Sequence, residues 1–135
     1  MNPKIEVSIT RTFVAEHSLP LVGVAQPHRH SFTIECGYAA EIDPDLGCAR
    51  PMQEMSRDVD AVVAQLEGRY LNDVLSGPPT AEILACWILA RLSSYWEWVS
   101  VRAYDGFKCK VQCRIPFPEP PNDPATRKAE YERWQ

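Results

Sequence analysis

The sequence has no apolar run near the ~18 residues that span a bilayer, so a membrane-spanning segment is not expected. The opening Met1-Asn2-Pro3-Lys4 lacks the apolar stretch of a secretory signal. No basic excess is present either. Lys and Arg number 14 against 18 Asp and Glu, a net charge of −4. A dedicated nucleic-acid binder needs a basic face that displaces phosphate counterions, so nucleic acid is not an expected partner. The five cysteines form no Cys-x-x-Cys pair and read as free thiols in a cytoplasmic protein. Internal repeats and low-complexity tracts are missing as well. Histidine is scarce: there are three, and all fall between positions 17 and 30.

What is there suffices for one core. A domain near 135 residues buries roughly two-thirds of the surface of its unfolded chain. At 45% apolar residues, no disulfide or structural metal is required simply to fold. From Lys4 to Ala15 apolar Ile5, Val7 and Ile9 alternate with polar neighbours, the period of a half-buried strand. Leu19 to Pro27, with two prolines and a glycine, reads as a loop. A second strand is expected from about His30 to Ile42, ended by the turn chemistry of Asp43-Pro44-Asp45-Leu46-Gly47.

Helical spacing follows. Met52, Met55, Val59, Val62, Leu66 and Tyr70 recur every three or four residues after Pro51, which suits a first turn. Ser76-Gly77-Pro78-Pro79 breaks the chain, and Thr80 is an N-cap for a helix from Ala81 to about Tyr95. Two further strands are expected, Trp98–Tyr104 and Phe107–Ile115, joined at Asp105-Gly106. The order is therefore ββααββ, an α+β domain over residues 1–115. Residues 116–135 form a proline-rich tail that ends in a short helix from Pro124 to Trp134.

His28 and His30 are two apart on a strand, so both imidazoles project to one face. His17, just past the end of the first strand, reaches that face if the two strands pair. Three neutral imidazoles around a tetrahedral ion leave one position open, the layout of a catalytic zinc.

The runs Phe13-Val14-Ala15-Glu16-His17 and His28-Arg29-His30-Ser31-Phe32 resemble the zinc signature of the 6-pyruvoyltetrahydropterin synthase family, which includes the 6-carboxytetrahydropterin synthases. Leu66-Glu67-Gly68-Arg69-Tyr70-Leu71-Asn72-Asp73, Pro79-Thr80-Ala81-Glu82 and Val101-Arg102-Ala103-Tyr104-Asp105 resemble further stretches of that family, in the right order. The resemblance implies a tunnelling fold, a four-stranded antiparallel sheet with two helices on one face. It also implies zinc on His17, His28 and His30, and a homo-oligomer, trimer or hexamer, joined edge to edge.

The same comparison exposes departures. Val24 stands where the family carries its proton-transferring cysteine, and Glu67-Gly68 where it carries adjacent aspartate and histidine. Pro51-Met52 replaces its Asp-Phe. What remains implies a zinc-dependent lyase or cyclase acting on a different small carbonyl-bearing or heterocyclic metabolite. In that reading Glu67 is the catalytic base, and Asp105 binds the substrate ring in place of the family's longer carboxylate. Glu16 is the second candidate base, although strand alternation turns it away from His17, and Arg29 projects opposite to the metal histidines. Two alternatives stand beside this reading. One is a non-catalytic metal- and ligand-binding member of the fold; the other is a structural zinc closed by Cys48.

Overall fold

The structure, a computed structural model, describes residues 3–104 and 106–115. The proline-rich tail and Asp105 lie outside the described residues. Strand β1 (Lys4–Leu19) and strand β2 (Val24–Glu41) form one long antiparallel hairpin. Helices α1 (Met52–Val63), α2 (Leu71–Val74) and α3 (Ala81–Arg91) follow, then strands β3 (Trp98–Tyr104) and β4 (Phe107–Val111). The sheet order is β1-β2-β3-β4, antiparallel throughout, as the ββααββ pattern requires.

One face of the sheet is apolar because every second residue is. Ile9 and Phe13 of β1, Phe32, Ile34, Cys36 and Tyr38 of β2, and Val99 and Val101 of β3 are buried. Met55, Val59 and Val62 of α1 and Leu84, Trp87 and Ile88 of α3 close over them. Each such side chain contributes ~1.5–3 kcal/mol relative to exposure, which fixes the helices to this face. The opposite face is polar, with the Ser8 hydroxyl donating to Glu35 at 2.8 Å and the Thr12 and Thr33 hydroxyls paired at 3.1 Å.

Element boundaries differ from the sequence expectation in four places. The loop from Leu19 to Pro27 shrinks to one turn at Pro20–Val22, closed by Gly23 at φ +84°. The first helix ends at Val63 rather than continuing to Tyr70, and the short α2 stands apart. Helix α3 stops at Arg91 and β4 at Val111, each four residues early. The last two share a cause. Helix ends leave orphan carbonyls, and the Arg114 guanidinium donates to those of Leu89 and Leu92 (2.9 Å) at the end of α3 and to the Ser93 (3.0 Å) and Trp96 (3.1 Å) carbonyls just beyond it. A residue drawn in to cap α3 cannot extend β4. Asp58 of α1 secures the same corner, accepting from the Trp96 indole at 2.6 Å and the Ser93 amide at 3.3 Å.

On the polar face Gly37 pairs with Trp98, and the indole lies across the glycine. A Cβ at Gly37 would sit 2.1 Å from Trp98 Cζ2. Lys110 holds the ring in place, its ammonium 4.2 Å from the ring centroid. Gly37→Ala is therefore expected to lower the unfolding free energy by about 1–3 kcal/mol in denaturant titration. In a Trp98→Leu background the same substitution should cost much less; an equal cost in both backgrounds would refute the steric account.

Candidate metal centre

The β1–β2 ladder sets His17 directly opposite His28 and Ala15 opposite His30. All three imidazoles consequently share the helix-facing side, at the hairpin end that extends past β3. Their ring centroids are 4.5 Å (His17–His28), 5.1 Å (His17–His30) and 4.4 Å (His28–His30) apart. One nitrogen from each lies within 4.8 Å of the others. Among the described residues this is the one cluster of three or more metal-ligating side chains.

Hydrogen bonds to carbonyls orient two of the rings. His17 is fully buried, and its Nδ1 donates to the Pro79 carbonyl at 2.8 Å. His28 Nδ1 donates to the Gln26 carbonyl at 3.1 Å. A carbonyl only accepts, so the proton sits on Nδ1 and the lone pair on Nε2, as the hydrogen bond on the other ring nitrogen arranges it for metal-binding imidazoles. Nε2 of His17 is buried with no hydrogen-bond partner. Left that way it would cost about 1–3 kcal/mol; an ion removes the deficit.

Electrostatics favours the neutral, ligating form. Burial lowers the pKa of His17 from its ordinary value, and the charges of His28 and His30 lower it further, against the raising effect of Pro79. Burial also lowers that of His30, with His28 adding to it. Phe32 forms an apolar floor, edge-on to His17 at 5.6 Å and to His30 at 6.0 Å. The residues present therefore fit a tri-imidazole divalent centre.

The other candidate residues sit elsewhere. The carboxylate of Glu67 accepts from the Val14 amide at 3.0 Å, on the outer edge of β1. Val14 is three residues from His17, about 10 Å at strand rise. Glu16 and Arg29 face each other on the side away from the histidines, as alternation predicts, in an exposed 3.4 Å ion pair worth little to stability. Cys48 lines an apolar groove of about 670 Å³ with Ile5, Leu46 and Met52, at the opposite end of β1, and is not part of the histidine cluster. The Thr80 hydroxyl caps α3 by accepting from the Ile83 amide at 3.2 Å, as expected.

Sequence reasoning missed the supporting shell. The segment after α1 lies along β1 like a fifth strand: the Gly68 amide donates to the Val14 carbonyl at 2.7 Å and the Glu16 amide to the Arg69 carbonyl at 2.9 Å. Tyr70, Asn72 and Ser18 join this contact. The only sequence signal for it was the Asn-Asp stretch after Tyr70, which carries no metal-ligand pattern.

Three of the five thiols are disfavoured as nucleophiles by burial. Burial, followed by the charges of Asp58 and Glu35, pushes Cys36 up to about 12, and burial also raises Cys86 and Cys109. At pH 8 iodoacetamide is expected to label exposed Cys113 in the native protein and Cys36 only after denaturation. Native labelling of Cys36 at the rate of Cys113 would contradict this assignment.

Residues 6–115 match the family described as 6-pyruvoyl tetrahydropterin synthase. A dihydroneopterin monophosphate aldolase of Pyrococcus furiosus is 29% identical over 89 residues, covering 66% of this chain and 75% of that protein. Among solved structures, 6-pyruvoyl tetrahydropterin synthase of Caenorhabditis elegans superposes with a TM-score of 0.76 at 15% identity, over 83% of this chain and 97% of that one. The Plasmodium falciparum synthase gives 0.63 at 16% identity, over 84% and 100%. At those identities the two structures speak to the fold, which is the tunnelling fold expected from the sequence.

Proposed function

We propose that this chain, which belongs to the 6-pyruvoyl tetrahydropterin synthase family, is a zinc-dependent lyase or cyclase whose substrate is a small carbonyl-bearing or heterocyclic metabolite. The observation that carries the reading is the buried, unpartnered Nε2 of His17 beside two more imidazoles. His17, His28 and His30 would hold the ion. Zinc, when bound there, supplies a Lewis acid that polarises a carbonyl or hydroxyl group of the substrate.

The Pyrococcus furiosus relative favours aldol-type cleavage of a dihydropterin side chain. Such a cleavage starts when a base takes the proton of a side-chain hydroxyl. The adjacent C–C bond breaks, a carbonyl forms on the departing fragment, and the electron pair enters the conjugated ring, which is then reprotonated. No imidazole is free for these transfers, since all three are given to the ion. Glu67 is the proposed base. Its Oε2 is held by the Val14 amide, which leaves the remaining lone pairs of the carboxylate for a proton. Its distance from His17 suits a base that serves the site across a subunit boundary. Asp105 is the proposed anchor for an amino-pyrimidine edge, where a carboxylate accepts two parallel hydrogen bonds.

Homo-oligomerisation, as a trimer or hexamer, is part of the proposal. The outer strands of the sheet are β1 and β4, and residues 67–72 cover the outer edge of β1 only from Val14 to Ser18. The polar face is acidic toward β1, with Glu6 and Glu35, and basic toward β4, with Arg102, Lys108 and Lys110. Edge-to-edge joining of β1 to a neighbour's β4 brings opposite charges together. Reversing both Lys108 and Lys110 to Glu is expected to shift the protein toward monomer in sedimentation at low salt. An unchanged distribution would count against this contact.

Purified protein is expected to carry about one zinc per chain by elemental analysis, and His28→Ala to lose it. With dihydroneopterin monophosphate as probe, turnover should require zinc and fall about 100-fold or more in Glu67→Gln. Absence of zinc after native purification would sink the reading. Binding of the probe without consumption would replace it with the non-catalytic one.

A further inference from the structure

The backbone on both sides of His17 is held from outside the hairpin. In β1 the N–H and C=O groups of Val14, Glu16 and Ser18 point away from β2, toward residues 67–72. At Ser18 that segment presents a side chain in place of a strand. The Asn72 carboxamide accepts from the Ser18 amide at 2.9 Å and donates to the Ser18 carbonyl at 3.1 Å and to its hydroxyl at 3.2 Å. A carboxamide offers a donor and an acceptor in one plane, as a peptide unit does, so it completes the rung. The Tyr70 hydroxyl lies 2.7 Å from the Ser18 hydroxyl, so each polar group of Ser18 is engaged by this one segment. The site of this clasp is where the β1–β2 register slips, between His17 and Leu19.

We propose that Asn72, assisted by Tyr70, is a positioning residue for the metal centre: it pins the register slip beside His17 and so holds the His17 ring facing His28 and His30. The inference rests on the metal reading above and adds residues to it that touch neither ion nor substrate. Ladder pairing alone cannot do this work, because the next β1–β2 pair beyond His17–His28 is Leu19–Val24. Without the clasp the stretch between the His17–His28 and Leu19–Val24 rungs is free to fray. His17 would then swing with its backbone, and the Pro79 carbonyl would orient a ring whose Cα had moved. Both contacts come from the stretch between α1 and α3, so the helix layer sets the ligand from two points.

The test is cobalt(II) titration of the metal-free full chain, read by its visible ligand-field bands, with zinc release to a chromophoric chelator as a second readout. Loss of an outer-shell partner typically costs 10–100-fold in metal affinity, and Asn72→Ala should weaken cobalt binding by about that factor and alter the band pattern. Tyr70→Phe keeps the ring and is expected to speed zinc release several-fold; it decides the matter if the Asn72 variant does not fold. Arg11→Ala, which removes the 2.7 Å contact of the same strand to Asp60, should bind cobalt as the wild type does. Variants of Asn72 and Tyr70 that match wild type in affinity and spectrum overturn the positioning role alone, as does an equal loss in Arg11→Ala. A wild-type chain that takes up no cobalt or zinc overturns the metal reading and this inference together.

Discussion

The rest of the molecule depends on the register of one hairpin. From Lys4 opposite Glu41 to His17 opposite His28 the β1–β2 ladder runs without a slip. Side chains in a strand alternate with period two, so a one-residue shift would send every apolar residue of β2 to the polar face. It would send His28 and His30 there as well. The same ladder that buries Phe32, Ile34, Cys36 and Tyr38 therefore brings the three imidazoles together. Core burial, worth far more than any single hydrogen bond, enforces the geometry of a site that contributes little to stability itself.

The helix layer does more than cover the sheet. The chain from Glu67 into α2 supplies the clasp on β1, and the chain before α3 supplies the Pro79 carbonyl at His17 Nδ1. Leu66 and Leu71, both fully buried, anchor the first of these stretches in the core. The Thr80 cap fixes the second at the start of α3. Rigid packing is thus transmitted to the three imidazoles through the backbone of β1 and the Pro79 carbonyl, with the Asn72 and Tyr70 side chains as the links at Ser18.

Much of this was legible in the sequence because periodicity reports burial. The strand alternation, the helical stripes and the His-x-His spacing each name a face, and the structure puts those residues on it except Met52, which is exposed. The boundaries were harder for identifiable reasons. Pro20 and Pro27 marked a loop, yet Pro27 lies outside the paired rungs, where its missing N–H costs β2 no ladder bond. Tyr70 continues the spacing of Met55, Val59 and Val62, so pattern alone extends α1 to it. The helix instead ends early, and Gly68 at φ +72° turns the chain back along β1. Arg114 alternates as a strand residue should; only the orphan carbonyls of α3, invisible to local pattern, explain why it leaves the strand. The clasp was illegible because Asn72 acts on Ser18 across 54 positions, a pairing no local rule encodes.

The distribution of proton-bearing groups constrains the chemistry further. Each imidazole given to an ion is lost as a free acid or base, and two of them already spend Nδ1 on carbonyls. Cys36, Cys86 and Cys109 are held in the thiol form by burial, Cys48 lies at the opposite end of β1 from the histidines, and Cys113 is exposed beyond β4. The hydroxyls of Tyr70 and Ser18 are engaged with each other. Carboxylates are what is left. One placed near an ion is stabilised in its charged form and so becomes a weaker base. Under the proposed function Glu67, about 10 Å along β1 from the histidines of its own chain, would meet this effect only from the ion of a neighbouring subunit.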